Sequence, residues 1–240
     1  MKSIKALKVK IFADGAKVEE MKEEYRKGIV KGFTTNPTLM RKAGVADYGA
    51  FAREVLREIR DLPVSFEVFS DEFASMEREA RIIASWGGNV NVKIPITTTS
   101  GESSAPLIRK LSVEGISLNV TAILTMDQIR TAAESLAPEA RSIVSVFAGR
   151  IADTGRDPVP MMKEAAEYLK GFPHIELLWA SPRELLNIFH ADECGCHIIT
   201  VTADLLKKLS MVGMDLEELS LETVKMFYRD GQSLGYRIEA

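Results

Sequence analysis

With 240 residues, 31 lysines and arginines, 34 aspartates and glutamates and a formal charge of -3, the chain can fill one large core and carries no electrostatic footprint for nucleic acid or an anionic membrane. Lysines at 2, 5, 8 and 10 interrupt any apolar run that a signal segment would need, and no later stretch is apolar enough to span a bilayer. Cys194 and Cys196 stand too close together for a structural disulfide framework, so a reducing, cytoplasmic setting and small-molecule partners are expected.

In chain order, short β-branched runs alternate with longer helical patterns, the rhythm of repeated βα units. The first unit sets a strand over Val9–Asp14 before a helix over Glu19–Lys27. Strand Gly32–Asn36 precedes helix Tyr48–Asp61, strand Val64–Phe69 precedes helix Asp71–Trp86, and strand Val90–Ile96 precedes helix Pro106–Val113. The second half repeats the pattern: Ser117–Ala122 with Met126–Leu136, Ile143–Phe147 with Pro160–Leu169, Ile175–Ala180 with Pro182–Phe189, and His197–Val201 with Ala203–Leu209. Thr125 with Gln128, and Ser104 ahead of Pro106, read as helix caps. A last amphipathic helix covers about Asp215–Asp230. The expected fold is a single (β/α)8 TIM barrel over residues 1–240 with an extra C-terminal helix. An open doubly wound sheet also alternates strands and helices, but no G-x-G-x-x-G or G-x-x-x-x-G-K-[ST] segment follows any strand here.

Parallel barrel strands are buried on both faces, so polar residues inside them need a reason. In Val90–Ile96 the valines and isoleucines share one side and Asn91 and Lys93 the other; Glu67 opposes Val64, Phe66 and Val68; Asn119 and Thr121 oppose their apolar neighbours. Asp14 and Asn36 close the first two strands on a parity that can face inward. Five successive strands thus bring Asp14, Asn36, Glu67, Lys93 and Thr121 towards one barrel mouth. A buried ammonium either pairs with a carboxylate or loses its proton. A salt bridge from Lys93 to Glu67 or Asp14 is one reading. The other is a desolvated amine that attacks a carbonyl, with Glu67, Asp14 and Thr121 moving protons around a carbinolamine and an imine.

Phe12-Ala13-Asp14, Thr34-Thr35-Asn36-Pro37, Val92-Lys93-Ile94-Pro95-Ile96-Thr97, Asn119-Val120-Thr121, Ser145-Val146-Phe147-Ala148-Gly149-Arg150-Ile151 and Ala180-Ser181-Pro182-Arg183 follow one another in an order that resembles the transaldolases, and more closely the short group that includes fructose 6-phosphate aldolase. The resemblance runs almost end to end. It implies that Lys93 is the Schiff-base lysine, Asp14 the acid/base at the C4 hydroxyl, and Glu67 with Thr121 the pair that positions the water of imine exchange. It further implies that Thr34, Asn36, Asn119 and Ser145 bind the substrate, its hydroxyls held by Asn36, Asn119 and Ser145, and that Arg150, Ser181 and Arg183 grip its phosphate. Where the family usually reads Ser-Phe-Arg or Ser-Phe-Lys, this chain has Ser181-Pro182-Arg183, a departure at the phosphate end. Phe147 and Glu67 stand where the short aldolases carry tyrosine and glutamine, which is the transaldolase pattern.

The resemblance therefore implies transfer of a dihydroxyacetone unit from a ketose phosphate, fructose 6-phosphate or sedoheptulose 7-phosphate, to an aldose phosphate, with neither metal nor organic cofactor. It leaves both pentose phosphate metabolism and a specialised sugar biosynthesis open. Aldolase-type cleavage and a non-catalytic sugar-phosphate-binding barrel are the alternatives; the second would keep the arginines and could discard the lysine. The segment His190-Ala-Asp192-Glu193-Cys194-Gly195-Cys196-His197 offers metal ligands on paper, yet it precedes the eighth strand on the stability face, and C-x-C misses the usual zinc spacing. The hydroxyl-rich Thr97–Ser104 reads as capping and loop solvation. Phe227 and Tyr228 in the last helix read as packing residues, and the resemblance implies packing between subunits of a homo-oligomer.

Overall fold

The computed structural model describes residues 3–235. Its strands are β1 (Lys10–Asp14), β2 (Phe33–Thr34), β3 (Val64–Glu67), β4 (Val90–Pro95), β5 (Leu118–Ile123), β6 (Ser142–Val146), β7 (Ile175–Trp179) and β8 (Ile198–Thr202), closed into one parallel barrel in sequence order. Closure of β1 on β8, with Phe12 opposite Thr200 and Asp14 opposite Thr202, excludes the open sheet. Around the barrel run α1 (Val18–Lys27), α2 (Pro37–Ala43), α3 (Tyr48–Glu58), α4 (Phe73–Ala84), α5 (Ala105–Val113), α6 (Met126–Ser135), α7 (Ala148–Ala152), α8 (Val159–Leu169), α9 (Leu186–Cys194), α10 (Ala203–Lys207) and α11 (Leu216–Leu234).

Strand parity sorts the core into two parts. Outward residues such as Val64, Phe66, Val92, Ile94 and Val120 join helix residues such as Val55, Met76 and Ile108 in the large layer between barrel and helices. Inward residues Phe12, Ile143, Leu178, Ala180 and Ile198 form a small plug inside the barrel. Gly32 is required beside that plug, because a Cβ there would lie 2.5 Å from the Phe12 ring. The polar inward residues described below sit on the same parity.

Local chemistry explains several helix boundaries. Thr125 and Gln128 form the expected capping box on α6. Ser104 takes the cap position of α5, but its hydroxyl makes no cap bond, contrary to expectation. Two short helices escape periodicity because they are only about two turns or less. One is α2, where Asn36 Oδ1 accepts from Leu39 N–H at 3.0 Å and Pro37 opens the helix; the other is α7, directly after β6. The helix expected from Pro182 is α9, which starts at Leu186, and the residues before it form a loop. Among the described residues, no helix is long and apolar enough to cross a membrane.

Candidate active site

Lys93 stands inside the barrel at the centre of β4, with its side chain only 7% exposed. Register places it beside Glu67 on β3 and Asn119 on β5. Its Nζ lies 2.9 Å from Glu67 Oε2 and donates to the Thr35 carbonyl at 2.8 Å. The pairing with Glu67 foreseen as one fate of a buried lysine is therefore formed. It does not turn the lysine into a mere strut, because a carboxylate held at that distance is also where an amine can leave a proton before attacking a carbonyl.

Asp14 closes β1 on the same face. Thr34 Oγ1 donates to Asp14 Oδ1 at 2.9 Å, and Asn36 Nδ2 approaches both carboxylate oxygens at 3.4 Å. Since the Thr34 proton goes to Asp14, the Thr200 hydroxyl on β8 supplies the proton of the short Thr200–Thr34 contact. Desolvation pushes the Asp14 carboxyl above the ordinary carboxylate range, outweighing the Lys93 charge and the two side-chain hydrogen bonds, which pull it down. Two acids and one amine thus share the mouth under different constraints. Glu67 is bound to the amine, whereas Asp14 is held by neutral donors.

On the opposite arc, Ser145 Oγ donates to Asn119 Oδ1 at 2.7 Å, and Asn119 Nδ2 donates to Ser65 Oγ at 3.1 Å. This buried relay locks the Asn119 amide between β3 and β6. Thr121 is also buried, and its hydroxyl has no hydrogen-bond partner among the described residues. An unspent buried hydroxyl costs about 1 to 3 kcal/mol, the kind of cost that a water or substrate oxygen would offset. The next residue, Ala122, has a φ of 61°, and the β5–β6 register shifts between Val120 and Ile123. This irregularity lies in β5 beside Thr121.

The rim beyond Phe147 is built by close backbone approach. A Cβ on Gly149 would lie 1.5 Å from the Ser181 carbonyl oxygen, so only glycine lets α7 reach the loop after β7. Ser181 itself holds a left-handed φ of 62°. Arg183 Nε donates to Asp153 Oδ1 at 2.8 Å, its Nη2 to Asp153 Oδ2, and its Nη1 to Ser181 Oγ at 3.0 Å. The Arg150 guanidinium carbon lies 5.5 Å from the Phe147 ring centre, and the guanidinium makes no hydrogen bond or ion pair among the described residues.

Contacts thus tie Lys93 to Glu67, Asp14 to Thr34 and Asn36, Asn119 to Ser145, Phe147 to Arg150, and Ser181 to Arg183, while Thr121 is buried with no hydrogen-bond partner among the described residues. Reasoning from sequence missed Thr200 and Ser65, although each shares the inward parity of its strand. It also missed Asp153 and Tyr48, for which no strand pattern exists. The cysteine–histidine segment lies where expected, before β8. There Asp192 Oδ1 accepts from Lys8 and Val9 N–H, His197 Nδ1 accepts from Leu177 N–H, and burial pushes the Cys196 thiol well up.

The family model described as Transaldolase/Fructose-6-phosphate aldolase matches residues 11–238. A protein of Dehalococcoides mccartyi named probable transaldolase is 34% identical over 203 residues, 84% of this chain and 90% of that one. One of Listeria monocytogenes, named probable transaldolase 2, is 38% identical over 205 residues, 84% of this chain and 88% of its own. One of Thermoplasma volcanium, named probable transaldolase, is 37% identical over 204 residues, 84% and 87% of the two chains.

Proposed function

The chain belongs to the transaldolase/fructose-6-phosphate aldolase family, and from that premise we propose that it transfers a dihydroxyacetone unit between sugar phosphates through a Schiff base on Lys93. The observation that carries this reading is the buried Lys93 amine between the Glu67 carboxylate and the Thr35 carbonyl, with Asp14 close enough for its charge to be felt.

Each group then has a task that its surroundings suit. Lys93 Nζ gives a proton to Glu67 and attacks the ketose carbonyl at C2. The carbinolamine loses its hydroxyl as water, which Glu67 and the unspent Thr121 hydroxyl hold, leaving a protonated imine. Asp14 takes the C4 hydroxyl proton, the C3–C4 bond breaks, and its electron pair flows into the imine to form an enamine while the aldose departs. An acceptor aldehyde is attacked by C3 of the enamine, Asp14 returns its proton to the new alkoxide, and water releases the longer ketose. Thr34, Asn36, Asn119 and Ser145 orient the sugar. Ser181, Arg150 and Arg183 bind its phosphate, where planar guanidinium groups match paired oxygens.

Transfer rather than simple cleavage is favoured by Phe147, which lines the mouth with a ring that carries no proton for the waiting enamine. The apolar face of α11 supports a homo-oligomer, since none of that helix's residues is buried within one chain. Borohydride reduction in the presence of fructose 6-phosphate should attach the three-carbon unit to Lys93, and Lys93→Met should abolish both adduct and turnover. The variant keeps its fold because methionine fills much of the same volume. An adduct formed at the normal rate in Lys93→Met would remove the lysine from the mechanism. In a coupled assay the wild type should release little free dihydroxyacetone until erythrose 4-phosphate is added. Phe147→Tyr should raise that release at the expense of transfer, and wild-type cleavage as fast as transfer would replace this reading with an aldolase.

A further inference from the structure

The ladder between β2 and β3 ends in an unusual exchange of partners. Phe33 N–H donates to Pro63 O at 2.8 Å and Thr35 N–H to Ser65 O at 3.1 Å. One step further, a regular parallel ladder would give Glu67 N–H to Thr35 O, and Glu67 O to the N–H of residue 37. Residue 37 is proline and has no N–H. The Thr35 carbonyl accepts instead from Lys93 Nζ.

Both main-chain groups of Glu67 left over by that exchange are met by one side chain from outside the barrel. Glu67 N–H donates to Tyr48 Oη at 2.8 Å, and Tyr48 O–H donates to Glu67 O at 3.0 Å. The phenol is carried on the first turn of α3, and its ring is held by Phe66, Phe69 and Trp86 at centroid distances of 6.1, 4.6 and 5.2 Å. We propose that Tyr48 is a positioning residue for the imine-forming step: by closing the end of the ladder on Glu67 it leaves the Thr35 carbonyl to Lys93 and fixes the Glu67 carboxylate against the amine. This rests on the proposed role of Glu67 in imine exchange.

Tyr48→Phe keeps the ring and its aromatic neighbours and removes only the hydroxyl. Without it, Glu67 N–H and the Lys93 ammonium compete for the Thr35 carbonyl. Adduct formation with dihydroxyacetone, which needs no C–C cleavage, should slow by about tenfold, the scale of one buried hydrogen bond. Single-turnover cleavage of preformed fructose 6-phosphate adduct should change little. The pH profile of adduct formation should move in the same direction as in Glu67→Gln, and the double variant should lose no more than Glu67→Gln alone. A purely structural role would lower the melting temperature without separating the two steps or moving the profile. Adduct formation at the wild-type rate in Tyr48→Phe, or fully additive losses in the double variant, would overturn the inference while a slow Glu67→Gln left the reading of Glu67 standing. Wild-type adduct formation in Glu67→Gln would overturn that reading and the inference together.

Discussion

At the scale of single residues, two similar acids of the candidate site differ in what surrounds them. Glu67 faces a cation at 2.9 Å, whereas Asp14 is enclosed by Thr34, Asn36 and the protein interior, and desolvation prevails there. An acid whose native affinity for a proton is raised contributes stability that is complete below its unfolded value and lost as pH rises through the native value. The ordinary Asp14 value is 3.8, so the wild type should lose stability relative to Asp14→Asn as pH climbs from there through the raised native value. Melting curves of both proteins between about pH 4 and pH 8 test this, and parallel curves would mean that Asp14 titrates normally. The same variant should still form the borohydride adduct yet cleave the C–C bond about a hundredfold more slowly, the usual size of a general acid/base contribution. Unchanged turnover would take Asp14 out of the chemistry.

At the scale of elements, the proposed phosphate end is made where α7 meets the loop after β7, at Gly149 and Ser181, rather than by any one strand. Both oxygens of Asp153 hold Arg183, so under the proposed role a phosphate would share that guanidinium with a carboxylate, while the Arg150 guanidinium makes no ion pair among the described residues. Arg150→Ala and Arg183→Ala should each weaken phosphorylated donors by about 2 to 5 kcal/mol if the site is desolvated in the complex, with far less effect on unphosphorylated dihydroxyacetone. Arg183→Ala also strips Asp153 of its partner, adding repulsion of the phosphate. The double variant with Asp153→Asn separates that repulsion from the lost contact. Equal losses for both kinds of donor, read as kcat/KM, would make these arginines structural.

At the scale of the whole molecule, α11 is the element that one chain does not explain. Leu221, Val224 and Tyr228, spaced three and four apart, are 54, 59 and 68% exposed, and Phe227 beside them is 65% exposed. A helix of 19 residues with none buried gains little from its own chain, so a second copy is the partner we propose for this stripe. Val224→Glu with Phe227→Glu should shift the mass seen by light scattering to a smaller species while the barrel still forms the Lys93 adduct. A wild type that is monomeric at micromolar concentration would remove the oligomer.

The barrel and the inward placement of Asp14, Glu67 and Lys93 were legible in the sequence because strand parity holds through β1, β3 and β4, whereas Asn36 lies past β2 as the cap of α2. In Val90–Ile96 a single alternation separates the apolar outer face from Lys93, whatever else the chain does. The same rule reaches Thr200 and Ser65, which pass for ordinary strand residues until their partners Thr34 and Asn119 are seen across the barrel. What only the tertiary structure decided were contacts between elements far apart in sequence or lying on helices and loops. Asp153 meets Arg183 where Gly149 lets α7 approach the loop after β7, and Tyr48 meets Glu67 where Pro37 has no N–H to offer the ladder and Lys93 takes the Thr35 carbonyl. Periodicity describes which way a side chain points from its own element, but such pairings depend on which backbone groups the neighbouring elements leave unsatisfied.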